Sequence, residues 1–199
     1  ATTALITTDG FRDVIEIGYE SRYNQYDILI DKPAPLVPRE RRFSVPERVD
    51  INGRVLRELD EKAVKDLIPK VLQAGVESIA VGFLHGYANP QHERRVAEII
   101  SGALPALSIT LSAEVCPEIR EFERLTTATA NAYVRPLMSR YLDNLKLRLE
   151  DIGLSCPVLL MTSGGGLTTL DTASKFPIRL VESGPAGGAI LASGIADDL

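Results

Sequence analysis

The sequence has no tryptophan, two cysteines and two histidines in 199 residues. So few histidines and cysteines exclude a metal centre built on imidazole or thiolate spacing. A Ser-His-Asp arrangement would have to use His85 or His92. Cys116 and Cys156 lie far apart and read as small thiols of a reducing cytoplasm. Basic charge is also in deficit, with 22 Lys+Arg against 27 Asp+Glu and a net charge of −5. A surface for nucleic acid or anionic lipid calls for a basic excess, so neither partner is expected. No apolar run approaches the ~20 residues that span a bilayer, and no secretory leader is visible. Internal repeats and low-complexity segments are lacking too.

What is present is the composition of an ordinary globular domain, 45% hydrophobic and 25% charged. Residue 1 is Ala and opens directly on a strand, and the last residues fall in a helix. Both ends are therefore expected to be cuts in a longer chain.

TTALIT, residues 2–7, reads as a strand, followed by a turn at Asp9-Gly10 and a helical FRDVIEIG. Residues 19–40 carry three tyrosines, three prolines and many charges, and read as a long irregular connection. Asn52-Gly53 marks a hairpin. A helix is expected from Asp60 to Gly75, with Pro69 kinking or shortening it. ESIAVGFL, residues 77–84, reads as a buried strand, Pro90 opens the next helix, and SITLS at 108–112 is another strand. This alternation implies α/β units with parallel pairing. CPEIREFERLTTATANAYVRPLMSRYLDNLKLRLEDIG reads as one helix or two, broken before Pro136. PVLLMT at 157–162 is expected to be a buried strand, and a short helix covers about 169–175. IRLVES is expected to be a further strand, leading through a glycine turn into a last helix.

Two glycine clusters then fall at the carboxyl ends of expected strands, where open α/β sheets bind ligands. They are Ser163-Gly164-Gly165-Gly166 and Ser183-Gly184-Pro185-Ala186-Gly187-Gly188. Neither has P-loop or dinucleotide-fold spacing, so tight strand-to-helix turns with close helix packing account for them equally well. His85 and Asn89 follow a buried strand, within reach of a ligand or braced against a loop. His92 reads as a solvated or capping residue. Glu118, Arg120, Glu121, Glu123 and Arg124 are expected within two helical turns. They form either a solvated face or an acidic pair for a substrate amide or a hydrated metal. Tyr19, Tyr23 and Tyr26 line a groove or anchor their loop.

The segments TTALITTDGFRDVIEIG, GFLHGYANPQHE, LSAEVCPEIREFERLTTATANAYVRP, MTSGGGL and ESGPAGG, in that order, resemble the hydantoinase/oxoprolinase family. The resemblance runs through nearly the whole chain. It implies an α/β fold, a mixed sheet with flanking helices, belonging to the actin/hexokinase/Hsp70-like (ribonuclease H-like) ATPases. It also implies an N-terminal region over 1–112 and the start of a second region over 113–199. In that fold two Asp-x-Gly-Gly-Thr-like hairpins hold ATP, and this sequence contains neither. The resemblance places them before residue 1 and beyond Leu199. It makes ESGPAGGAILASGIA a connecting helix whose Gly184, Gly187 and Gly188 permit close packing.

The activity implied for the complete enzyme is ATP- and Mg²⁺-dependent. It phosphorylates the oxygen of a cyclic amide such as 5-oxoproline or a hydantoin, so that water supplied by a second, hydantoinase B-type subunit can open the ring. Binding candidates in this chain are Ser163, Gly164, Gly165, Gly166, His85, Asn89, Glu118, Arg120 and Asn131. The chain alone is expected neither to bind ATP tightly nor to turn over. The same motifs serve the ATP-using subunit of a ketone carboxylase. A third reading is a non-catalytic assembly domain docking its partner through the tyrosine-rich loop.

Overall fold

The computed structural model describes residues 1–19, 24, 26–30, 33–154 and 156–197. In chain order the elements are β1 (Thr3–Thr8), α1 (Val14–Ile17), β2 (Arg42–Val45), β3 (Arg48–Val49), β4 (Val55–Arg57), α2 (Glu61–Gln73), β5 (Ser78–Gly82) and α3 (Gln91–Ala103). There follow β6 (Ser108–Leu111), α4 (Ser112–Val115), α5 (Glu121–Asp151), β7 (Leu159–Met161), β8 (Leu167–Thr169), α6 (Leu170–Lys175) and α7 (Ser183–Asp197). The chain divides into two compact units, Ala1–Tyr133 and Val134–Leu199.

The first unit is an α/β structure on a parallel sheet of order β2-β1-β5-β6. The two faces of this sheet differ. Ala4, Ile6, Val45, Ile79, Val81 and Leu111 form one apolar face, packed with Val64, Leu67, Val71, Val96 and Ile100 from α2 and α3. Side chains alternate along a strand, so Ser78, Ala80 and Gly82 belong to the other face. On β5 that face is made of small residues, and α5 lies on it through Leu125. A Cβ built on Gly82 would come within 2.1 Å of Leu125 Cδ2 and 3.1 Å of Ser112 Cβ. Helix α2 starts where Asp60 accepts the Ala63 N–H, and it runs through Pro69 without ending there. β3 and β4 form the hairpin marked by Asn52-Gly53, with Gly53 at φ +79.

Several expectations are corrected. FRDVIEIG makes only the single turn α1. His92 is buried rather than solvated. Residues 117–120 stay out of the helix, so Glu118 and Glu121 are not helical neighbours. Arg120 takes φ +79, and the Glu118 carbonyl is occupied by the Arg124 side chain instead of a helical N–H. Tyr23 lies outside the described residues. Tyr19 packs edge-on against Phe122, whereas Tyr26 is 94% exposed.

The second unit departs further. PVLLMT is not a buried strand: β7 pairs only with β8, and Leu159 is 49% exposed. The first glycine cluster is therefore a hairpin turn, not a strand-to-helix turn, with Gly165 at φ +80. IRLVES is not a strand. Pro177 has no N–H for a ladder and its fixed φ suits a first helical turn, so Pro177–Leu180 forms a 3₁₀ turn. Gly184, Gly187 and Gly188 consequently lie inside α7, which buries none of its residues.

Replacing Gly82 by alanine is expected to cost about 1–3 kcal/mol, because Leu125 and Ser112 must shift in a packed core. Urea unfolding measures this, and an unchanged midpoint would refute the close approach of α5.

Candidate functional site

The carboxyl ends of β1 and β5 are held by buried polar groups. Leu84 N–H donates to Thr8 Oγ1 at 3.0 Å, and the Thr8 hydroxyl donates to Glu47. Glu47 also meets His92 Nδ1 at 2.9 Å. One residue earlier, Glu93 accepts the Phe83 N–H at 3.1 Å, the Ser112 hydroxyl at 2.7 Å and the Ala113 N–H at 2.9 Å. From the other side Arg124 Nη2 donates to the Phe83 carbonyl at 2.9 Å. Both polar atoms of the Phe83 peptide are thus gripped by charged side chains with no solvent exposure. Burial raises the Glu93 carboxyl above the ordinary carboxylate range, and its three donors and the Arg124 charge pull the other way. With its folded pKa raised, the native state holds this proton better than the unfolded chain does. That contribution is present at low pH and declines as pH rises through the raised value.

This grip fixes the loop that follows β5. His85 there takes φ +55, a left-handed conformation rare for a residue with a Cβ. Its Nδ1 lies 3.5 Å from the Tyr87 hydroxyl and 4.0 Å from Glu121 Oε1. Arg124 Nη2 is 3.5 Å from the same Glu121 oxygen, and its guanidinium sits over the Tyr87 ring at 5.3 Å. Beside these groups opens a cavity of about 380 Å³, lined by Phe11, Val14, Tyr19, Leu84, Arg120, Glu121 and Phe122.

Of the candidates from sequence, His85, Arg120 and the Glu118 carbonyl fall around this cavity or its supports. Asn89 is engaged elsewhere: it donates to the Gly53 carbonyl at 2.9 Å and accepts the Gln91 N–H at 3.1 Å. Asn131 is buried under the sheet and donates to Thr110 Oγ1 at 3.2 Å. Ser163, Gly164, Gly165 and Gly166 belong to the second unit. There Ser163 N donates to the Arg179 carbonyl and Gly165 N to the Thr162 carbonyl, so both donors are used within that unit. Among the described residues no group of three or more His, Cys, Asp or Glu could hold a metal ion. No helix among them is long and apolar enough to cross a membrane. Cys116 and Cys156 are free thiols, and burial pushes that of Cys116 up, away from nucleophilic use.

Sequence reasoning missed Thr8, Glu47, Glu93 and Arg124. Two of them carried a signal. Glu93 heads the stripe Glu93, Val96, Ile100 on α3, and Arg124 heads Arg124, Ala128, Asn131 on α5. A charge at the first position of a buried stripe is costly unless paired, and both are.

The hydantoinase/oxoprolinase N-terminal region matches residues 1–104, and the hydantoinase/oxoprolinase region matches residues 124–198. The chain belongs to the hydantoinase/oxoprolinase family. It is 40% identical over 187 residues to an uncharacterized protein of Methanocaldococcus jannaschii, covering 94% of this chain and 28% of that one. Caprolactamase subunit alpha of Pseudomonas jessenii is 32% identical, covering 92% and 26%. 5-oxoprolinase 1 of Arabidopsis thaliana is 31% identical, covering 94% and 16%. The crystal structure of the ATP-dependent caprolactamase from Pseudomonas jessenii superposes with a TM-score of 0.85, over 93% of this chain and 27% of that one. Nucleotide-free acetone carboxylase superposes with a TM-score of 0.88 at 26% identity, over 98% and 29%. The chain thus spans little more than a quarter of the first relatives' length.

Glu93→Ala is expected to lower stability by about 3–5 kcal/mol, since three buried donors lose their acceptor and the Arg124 guanidinium loses a nearby opposite charge. Denaturant unfolding that matches the wild type would exclude this grip.

Proposed function

We propose that the chain is the amide-binding portion of an ATP-dependent enzyme that opens cyclic amides. The observation that carries this reading is the cavity beside Glu121 at the carboxyl ends of β1 and β5. It belongs to a chain whose relatives include a caprolactamase and 5-oxoprolinases. Ligands of open α/β sheets bind at such strand ends. A cavity of this size suits a small molecule.

This reading assigns the nucleotide grip to segments other than the residues described. Two donors of the Ser163–Gly166 turn are already used, and no metal-ligand cluster is found among the described residues. In this reading ATP and Mg²⁺ are held by other segments of the enzyme, as in the actin-like ATPases. In this reading the residues of this chain bind the amide and orient it against Phe11, Leu84 and Phe122. Free thiols and an acidic surface suit a cytoplasmic setting.

The glycines of α7 belong to the same reading. Glycine inside a helix costs about 1 kcal/mol against alanine. Gly184, Gly187 and Gly188 carry that cost without close neighbours among the described residues, the nearest being Met161 Cγ at 3.9 Å from a Cβ on Gly187. Close approach of another helix of the enzyme gives them a purpose. The exposed tip formed by Tyr26, Ile28 and Leu29 is the surface that a second subunit would cover.

A second reading, the ATP-using subunit of a ketone carboxylase, is favoured by the superposition on acetone carboxylase. ADP release by the intact enzyme separates the two. Stimulation by 5-oxoproline, a hydantoin or a lactam is expected. Stimulation only by acetone with bicarbonate would transfer the protein to the carboxylase reading. Gly188→Leu is expected to leave the stability of the chain unchanged or higher while lowering turnover at least several-fold. Undiminished turnover would remove α7 from the packing role.

A further inference from the structure

We propose that Glu121 and Arg120 form a paired acceptor and donor that recognise the amide edge of a neutral lactam in this cavity. The proposal rests on the cyclic-amide reading and adds the binding site, the residues and the charge of the substrate.

The cavity wall supplies the first argument. Phe11, Val14, Leu84 and Phe122 present carbon, and Tyr19 presents its ring. Only Arg120 and Glu121 bring charge. A mostly apolar cavity with a few placed polar groups is the usual form of a small-molecule site.

The backbone supplies the second. Arg120 lies just before α5 with φ +79, outside helical geometry. It lines the cavity together with Glu121 and Phe122, the first residues of α5. His85, with φ +55, supports the same carboxylate. Among the described residues three non-glycine positions have positive φ, and two of them serve this one cavity. Strain of this kind is concentrated at functional sites.

The ligand follows from the pair. A small ring holds its amide cis, so the N–H and the carbonyl oxygen lie along one edge. An acceptor beside a donor matches that edge, with Glu121 accepting the N–H and Arg120 donating to the oxygen. The methylenes then lie against Phe11, Leu84 and Phe122. Arg124 Nη2, 3.5 Å from Glu121 Oε1, holds the carboxylate from the protein side and acts as a positioning residue, and His85 Nδ1 lies 4.0 Å from the same oxygen. A substrate carboxylate such as that of 5-oxoproline would be repelled by the Glu121 carboxylate and would compete with it for Arg120, and a neutral lactam avoids both.

The test uses the intact enzyme and measures KM for δ-valerolactam and for 5-oxoproline by ADP release, with thermal unfolding alongside. The wild type is expected to show the lower KM for δ-valerolactam. Glu121→Leu is expected to raise that KM about tenfold or more, with an unfolding temperature near that of the wild type. Glu121→Gln keeps an acceptor oxygen and is expected to recover most of the loss. An unchanged KM in Glu121→Leu, or a lower KM for 5-oxoproline than for the lactam, would overturn the assignment while leaving the cyclic-amide reading in place. Absence of stimulation by any cyclic amide would remove that reading and this one with it.

Discussion

The Phe83 peptide is the point on which the first unit turns. Its N–H goes to Glu93 on α3 and its carbonyl to Arg124 on α5. These helices lie on opposite faces of the sheet, so the end of β5 is tied to both layers at once. Two buried charges are expensive to desolvate, and neither would survive alone in this position. Together, with the Ser112, Ala113 and Glu118 groups that also bond them, they hold one short stretch of backbone. Everything downstream inherits that placement. Leu84 becomes a cavity wall, His85 is held in its strained conformation, and Tyr87 meets the Arg124 guanidinium.

The second layer of control is the unequal sheet. One face is a conventional branched-apolar surface against α2 and α3. On β5 the other face is narrowed to Ser78, Ala80 and Gly82, so α5 can settle close to that strand. Close settling at Leu125 stands one helical turn from Glu121, and Gly82 two residues before Leu84. The cavity thus depends on side-chain size on β5 as well as on its own lining. The same logic applies to Gly18, whose Cβ would stand 3.2 Å from the Phe122 ring.

Much of this was legible from sequence, for identifiable reasons. Strands β1, β5 and β6 are short apolar runs between turn signals. Helices α2 and α3 announce themselves by Asp60, Pro90 and their apolar stripes. The resemblance of five ordered motifs anticipated the family that the whole-chain matches establish. The failures share a cause. IRLVES and PVLLMT are apolar runs too short for periodicity to separate a strand from a helix, or a buried strand from an exposed one. Pro177 decided the first against a strand. The site was less legible because its charges act through tertiary pairing. Nothing local says that Glu93 will meet Phe83, or that Arg124 will reach across to the same residue. His85 and Arg120 were found by position, whereas the reason for their importance is dihedral and invisible in composition.

The order of the main sheet also governs how the chain can fold. β1 at residues 3–8 lies between β2 at 42–45 and β5 at 78–82, and all contacts are parallel. No strand of this sheet can begin as a hairpin with its sequence neighbour. The β5–β6 pairing closes a loop of about 25 residues, the β1–β2 pairing one of more than thirty, and the β1–β5 pairing one about twice as long as that. Topologies dominated by such distant pairings fold slowly and expose their strands meanwhile. During synthesis β1 emerges before β5 and must wait for it before its second edge is covered. That places a kinetic demand on the nascent chain, met either by a transient partner for the TALITT strand or by helix α2 collapsing onto it first.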